Sequence, residues 1–197
     1  MESKRKNYEL ELPENYEEAY VFDATDKKLA RRMQLAAIAL MLAVLVPAIL
    51  IIRPFRDGNG ARPLPVILSV AAYIAYIVLH ELVHGAAYKL TTGHKLSFGF
   101  NLAVAYCGVP DIYVCRKASM IALLAPFTVF TVVFALTTAM ISSPFEKFLS
   151  AVLLAVHIGG CAGDLYMALL FWTRFKDPRT LTRDTGPVST FYLPKED

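Results

Sequence analysis

Charged residues are scarce in this chain. Asp, Glu, Lys and Arg together make up 19% of its 197 residues, while 56% are hydrophobic. A soluble domain of this length usually carries more charge, so the composition argues against that class. Four stretches with at most one charge each are about 20 residues long or longer, which is enough to cross a bilayer; they cover 33–52, 63–88, 118–142 and 148–173. The sequence therefore predicts an all-α membrane protein with four transmembrane helices.

Cysteine is also rare, and three cysteines give no even disulfide framework. Cys107 and Cys115 fall in a link between two apolar stretches, whereas Cys161 falls inside the last stretch. We expect all three to be free thiols, as is usual in a reducing compartment, with a cysteine-based metal site as the alternative. The net charge of +3 is unremarkable, and no nucleic-acid partner is expected.

The uneven placement of Lys and Arg predicts the orientation of the spans. Thirty-two mostly polar residues precede the first apolar stretch, so we expect a retained anchor and no signal peptide. With a cytoplasmic N-terminus, twelve basic residues flank the spans on the cytoplasmic side and four on the other, which is the asymmetry of membrane proteins. The cytoplasmic set is Lys27, Lys28, Arg31, Arg32, Lys89, Lys95, Arg116, Lys117, Arg174, Lys176, Arg179 and Arg183, and the outer set is Arg53, Arg56, Arg62 and Lys147.

This pattern predicts a multi-pass protein of the cell membrane with both termini in the cytoplasm. We expect a polar cytoplasmic N-terminal segment over 1–32, a four-span membrane domain over 33–173 and a cytoplasmic tail over 174–197. The link between the second and third spans is long and punctuated by glycine. Apolar residues alternate with others from Phe98 to Tyr106, which indicates a short β-hairpin on the cytoplasmic membrane surface.

The second apolar stretch carries His80-Glu81-Leu82-Val83-His84 near its end. On a helix, residues four positions apart lie on the same face, so both imidazoles can bind one metal ion. Glu81 is then placed to act on a metal-bound water, as in zinc peptidases with this pattern. Ionisable groups inside a membrane helix are costly and usually mark a functional site. The alternative is that both histidines only form hydrogen bonds with neighbouring helices.

A catalytic zinc ion needs a third protein ligand besides two histidines and an open position for water. The motif that supplies a third histidine is excluded, because Leu90 stands at its place. The glutamates downstream fall at the opposite membrane face or at the end of the chain. Asp164 is the better candidate, because it and His80 each lie roughly 24 Å from the outer end of spans that run in the same direction. A carboxylate paired with another helix is the alternative.

Two other histidines could take part. His157 lies seven residues before Asp164, about 10 Å along a straight helix and too far to bind the same metal ion. It could form a hydrogen bond with a substrate, but the expected role is to bridge two helices. His94 lies in the polar link, where we expect a solvated side chain.

The motif in a membrane span, followed by Gly163-Asp164-Leu165 in a later span, resembles the membrane-embedded site-2 proteases. The chain is more closely similar to small bacterial and archaeal proteins described as zincin peptidases, over about residues 64–193, and its tail at Asp184-Thr185-Gly186-Pro187 resembles theirs. The resemblance implies a zinc ion bound by His80, His84 and Asp164, with Glu81 as general base. Unlike site-2 proteases, this chain has His157 near the place of a substrate-binding asparagine.

These features predict a zinc-dependent intramembrane endopeptidase that hydrolyses peptide bonds in or near the membrane. Its expected partners are a membrane-protein or peptide substrate and the lipid bilayer. Two other hypotheses remain open. A zinc-stabilised scaffold without catalysis would have no open coordination position. An ion or proton transporter would use the same ionisable groups as a relay.

Overall fold

The computed structural model describes residues 7–55, 62–100 and 105–195. Two features of the sequence analysis lie outside these ranges: Arg56, one of the four basic residues assigned to the outer side, and the turn of the predicted hairpin. The helices are α1 (Lys27–Ile52), α2 (Pro63–Thr92), α3 (Arg116–Met140), α4 (Pro144–Gly160) and α5 (Ala162–Thr173). The strands are β1 (Tyr8–Glu9), β2 (Tyr16–Asp23), β3 (Ser97–Phe100), β4 (Ala105–Gly108), β5 (Tyr113–Cys115), β6 (Leu181–Asp184) and β7 (Val188–Pro194).

The four apolar stretches are helical. Helices α1, α2 and α3 are each long and apolar enough to cross a membrane, and α4 with α5 forms a fourth candidate span. Many of their large apolar side chains face outward; Leu50 and Ile51 of α1 are 67% and 79% exposed. No residue of α1, which is described along its whole length, is buried. Such a surface is unusual for a soluble protein and is compatible with a lipid environment.

The fourth span differs from the continuous helix that was expected. Helix α4 begins with Pro144 in its first turn, where proline is favoured because it has no N–H to leave unpaired. It ends at Gly160, and Cys161 interrupts the span where the chain bends by 46°. Two successive glycines weaken the helix at this point. Gly159 also allows α4 to lie close to α1, since a Cβ at this position would be 2.7 Å from the carbonyl oxygen of Ala37.

The expectation of an all-α fold is wrong. The N-terminal segment, the link and the tail contribute to a five-stranded sheet in the order β1-β5-β6-β7-β2, and each pair of neighbours is antiparallel. Strands β2 and β7 alternate in side-chain direction, and their aromatic residues meet across the pair, with Tyr20 opposite Phe191. The predicted hairpin is confirmed, because β3 pairs with β4 from Ser97 opposite Gly108 onwards.

The chain divides into two compact units. The sheet unit consists of Met1–Ala30, Glu81–Ala125 and Asp164–Asp197, and the helical unit consists of Arg31–His80 and Pro126–Gly163. Each unit is assembled from segments that are distant in sequence. The division into an N-terminal segment, a membrane domain and a tail stays a prediction.

Both units have a core of their own. In the sheet unit, Val109, Ile112 and Val114 are completely buried and pack with residues of α2 and α3. In the helical unit, Tyr76 and His157 are buried among aromatic side chains of α3. Helix α2 from Glu81 onward and helix α5 from Asp164 onward belong to the sheet unit, so the core of this unit positions the residues that follow His80.

Candidate metal centre

Helix α2 runs without interruption through the motif, as the sequence predicted. His80, Glu81 and His84 each offer one ligand atom, and these three atoms lie within 4.8 Å of one another. Residues four apart lie one above the other on a helix, which accounts for the two imidazoles. The helix alone therefore presents three potential metal ligands on one side.

The ring of His84 is held in one orientation by a backbone group. Its Nδ1 lies 2.9 Å from the carbonyl oxygen of Ala122 in α3. A carbonyl oxygen can only accept a hydrogen bond, so Nδ1 carries a proton, and in the neutral ring Nε2 keeps its lone pair. Metal-ligating histidines commonly have this arrangement, in which the second nitrogen donates to a carbonyl or carboxylate. His84 is 8% exposed, so few water molecules compete for the bond.

Asp164 lies in the first turn of α5, beside His84. The distance from Asp164 Oδ2 to His84 Nε2 is 3.5 Å. A direct charge-assisted hydrogen bond is usually shorter, about 2.7–2.9 Å. Two ligand atoms that each lie about 2.1 Å from a tetrahedral zinc ion are about 3.4 Å apart. The spacing of this pair therefore fits two ligands of one ion.

The donor set also fits zinc by its chemistry. Two imidazoles and one carboxylate match the ligand types of catalytic zinc sites, which keep a fourth position for water. Glu81 also lies within ligand distance of the two histidines, so α2 offers it as a ligand as well as a base. The roles of His80, Glu81, His84 and Asp164 stay predictions, although the structure places Asp164 next to His84.

A hydrogen-bonded chain inside the helical unit continues from His80. The hydroxyl of Tyr76 lies 3.0 Å from His80 Nδ1 and 2.8 Å from His157 Nδ1. On its other side, His157 Nε2 lies 3.1 Å from the hydroxyl of Thr131 and 3.3 Å from the carbonyl oxygen of Phe127. His157 is completely buried. It therefore has hydrogen-bonding partners from two helices, in agreement with the bridging role that was expected.

Tyr76 is a residue that the sequence analysis missed. It precedes His80 by four positions on α2, so the two side chains share a helix face. That spacing is the signal that could have identified it, because buried tyrosine hydroxyls usually find a hydrogen-bonding partner. In an apolar helix, a tyrosine one turn from a candidate ligand is a reasonable partner to test.

The remaining candidate residues from the sequence are the three cysteines and His94. All three cysteines are free thiols, as expected. His80, His157 and Cys161 could in principle hold a metal ion, since their ligand atoms lie within 4.8 Å of one another. The Tyr76 hydroxyl is closer to His157 Nδ1 than the Cys161 sulfur, which lies 3.6 Å away. His94 is half-buried, and its ring lies edge-on against that of Tyr8.

The β3–β4 hairpin covers α2 directly after the motif. A Cβ on Gly85 would lie 2.8 Å from the ring of Phe98 and 3.2 Å from the sulfur of Cys107. A glycine at this position is what allows the hairpin to approach so closely. Among the described residues, β3 pairs with β4 alone, so β3 presents an open edge beside the helix that carries the motif.

Residues 73–178 match a family model described as "Putative zincin peptidase". The matched range includes Tyr76, the whole motif, His157 and Asp164, while strands β1, β2, β6 and β7 lie outside it. No curated protein and no solved structure matches the chain.

Proposed function

The chain belongs to the family described as "Putative zincin peptidase", since more than half of it matches the family model, and we propose that it is a membrane-embedded zinc metalloprotease. The observation that supports this most strongly is the pair of His84 and Asp164. Their facing atoms are 3.5 Å apart, and in the neutral ring the bond to the Ala122 carbonyl leaves the facing nitrogen of His84 with its lone pair. The likeness to site-2 proteases belongs to this proposal.

In this proposal, His80, His84 and Asp164 bind the zinc ion. The chemistry that zinc supplies is polarisation of the scissile carbonyl and a nucleophilic water at neutral pH. Glu81 accepts the proton of that water and passes it to the leaving amine, as a general base and then a general acid. Asp164 balances part of the positive charge, and the Ala122 carbonyl keeps the ring of His84 in place.

The exposed apolar helices support a position within the cell membrane. The surplus of basic residues on one side supports cytoplasmic termini. A helical substrate would have to unwind before cleavage, because a helix keeps its backbone carbonyls in hydrogen bonds. The open edge of β3 could hold the unwound segment as an added strand. The proposed substrates are therefore membrane proteins or peptides that can become extended near this edge.

One observation favours the rival scaffold. Glu81 lies within ligand distance of both histidines, and a fourth protein ligand would close the position that water needs. Replacement of Glu81 by glutamine distinguishes the two functions. A general base can be lost without loss of the metal ion, whereas loss of a ligand weakens metal binding.

The test compares purified wild type with the Glu81→Gln and Asp164→Ala variants. Zinc content is measured by elemental mass spectrometry, and cleavage is measured with a mixture of unstructured fluorogenic peptides in detergent. We expect one zinc per chain in the wild type, zinc without cleavage in Glu81→Gln, and strongly reduced zinc in Asp164→Ala. Matched controls are Glu17→Gln and Asp111→Ala, whose side chains are exposed. Absence of zinc from the wild type, or wild-type cleavage by Glu81→Gln, would overturn the proposal.

A further inference from the structure

We infer that Tyr76 and His157 are positioning residues that hold the proton of His80 on Nδ1 and so present its Nε2 to the metal ion. This inference rests on the proposed function, because it assumes a metal ion at His80. It concerns the hydrogen bonds of His80 inside the helical unit.

The carbonyl oxygen of Phe127 fixes the first proton. It lies 3.3 Å from His157 Nε2 and can only accept a hydrogen bond, so Nε2 carries the hydrogen. The Thr131 hydroxyl, 3.1 Å from the same nitrogen, can accept as a second partner. A neutral imidazole has a single N–H. His157 Nδ1 is therefore an acceptor.

The position of this proton determines which group donates in the next two hydrogen bonds. The Tyr76 hydroxyl lies 2.8 Å from His157 Nδ1 and must donate its only hydrogen to that nitrogen. The tyrosine oxygen is then an acceptor for His80 Nδ1, which lies 3.0 Å away and carries the hydrogen of its ring. In the neutral ring, His80 Nε2 then keeps its lone pair, which is what a metal ion binds.

Burial favours this direction of the chain. Tyr76 is 7% exposed and His157 is fully buried. The rings of Phe130 and Phe134 surround both, with centroids 5.1 and 5.5 Å from Tyr76 and 5.9 Å each from His157. Reversal of the chain would either leave the carbonyl oxygen of Phe127 without its hydrogen bond from His157 or require a second proton on that ring. A second proton would place a positive charge among aromatic rings, which is costly.

The two histidines of the motif are thus oriented by the same kind of group. His84 donates directly to the carbonyl of Ala122. His80 donates to Tyr76, and the polarity of that bond is set through His157 by the carbonyl of Phe127. Loss of a group that forms a hydrogen bond with a metal ligand weakens metal binding about 10–100-fold, although the ligands themselves remain.

The experiment measures the zinc affinity of the full-length protein in detergent, by competition with a chelator. We expect Tyr76→Phe and His157→Leu to bind zinc about 10–100-fold more weakly than the wild type. His157→Gln should recover part of the affinity, because its amide can still donate on one side and accept on the other. The matched control is Tyr73→Phe, which removes a hydroxyl from the same helix and leaves the three hydrogen bonds intact.

Nitrogen-15 chemical shifts of the histidines in metal-free protein give an independent result. They should show His80 protonated on Nδ1 in the wild type and a mixture of tautomers in Tyr76→Phe. Unchanged zinc affinity and tautomer in Tyr76→Phe, with zinc still lost in His80→Ala, would overturn this inference and leave the peptidase proposal in place. Absence of zinc from the wild type would overturn the peptidase proposal instead. If His157→Leu fails to fold, Tyr76→Phe decides alone.

Discussion

The hydroxyl of Tyr88 donates a hydrogen bond to Asp184 Oδ2 over 2.7 Å, and both side chains are buried. Tyr88 lies one turn after His84 on α2, while Asp184 ends strand β6. The same carboxylate accepts hydrogen bonds from the backbone N–H of Gly186 and the hydroxyl of Ser189. The helix that carries the motif is therefore fastened to the C-terminal hairpin.

We predict that Tyr88→Phe lowers the stability of the protein by about 1–3 kcal/mol, because the buried carboxylate of Asp184 loses one donor. Thermal unfolding in detergent, followed by circular dichroism, measures the effect. Tyr113→Phe is the control, since that ring packs against Tyr192 and keeps the contact without its hydroxyl. If Tyr88→Phe has the same melting temperature as the control, the hydrogen bond between Tyr88 and Asp184 does not stabilise the fold.

A second prediction concerns pH. Burial raises the pKa of Asp184 above its usual range, and the hydrogen bonds from Tyr88, Gly186 and Ser189 only partly oppose this. A carboxyl whose pKa is higher in the folded state stabilises the fold while it is protonated. That contribution is lost as the pH rises from the usual aspartate range through the raised pKa.

Asp184→Asn should therefore remove part of the decline in stability that begins as the pH rises above about 4, the usual aspartate range. Melting temperatures of wild type and variant from acid to neutral pH test the expectation. The two curves should converge at the acid end and separate toward neutral pH. Parallel curves would show that ionisation of Asp184 does not contribute.

A third prediction concerns the hairpin that covers the motif helix. In Gly85→Ala, the added Cβ would lie 2.8 Å from the ring of Phe98. We expect a loss of about 1–3 kcal/mol from overpacking. Phe98→Ala should make room, so the double variant should be more stable than the sum of the single effects. Thermal unfolding measures the stability of the two single variants and the double variant. If the effects of the two substitutions simply add, the close contact between positions 85 and 98 is contradicted.

Long helices and the motif were readable from the sequence because each depends on neighbouring residues. An uncharged run predicts a span by its length, and four-residue spacing predicts a shared helix face. Asp164 could be predicted only from a comparison of the depths of two spans, and the structure places it beside His84. The break at Cys161 was missed, although Gly159 and Gly160 precede it.

The five-stranded sheet could not be predicted in this way. Strand β1 is two residues long and β5 is three, too short to show a period. Their partners lie in other parts of the chain, and pairing between distant segments leaves little local signal. The same is true of Tyr76 and His157, whose hydrogen bond joins residues 81 positions apart.

The order of strands in the sheet also determines how long β2 waits for its partner during synthesis, because β2 pairs with β7. Tyr16, the first residue of β2, forms a hydrogen bond with a residue 163 positions later in the chain, and the carbonyl of Glu14 accepts one from a residue 181 positions later. At about 5–20 residues per second, the ribosome needs on the order of ten seconds or more to supply β7 after β2. During this interval β2 has an unpaired edge of the kind that promotes aggregation. A nascent chain stalled before β7 would therefore expose the unpaired backbone groups of β2 to other chains.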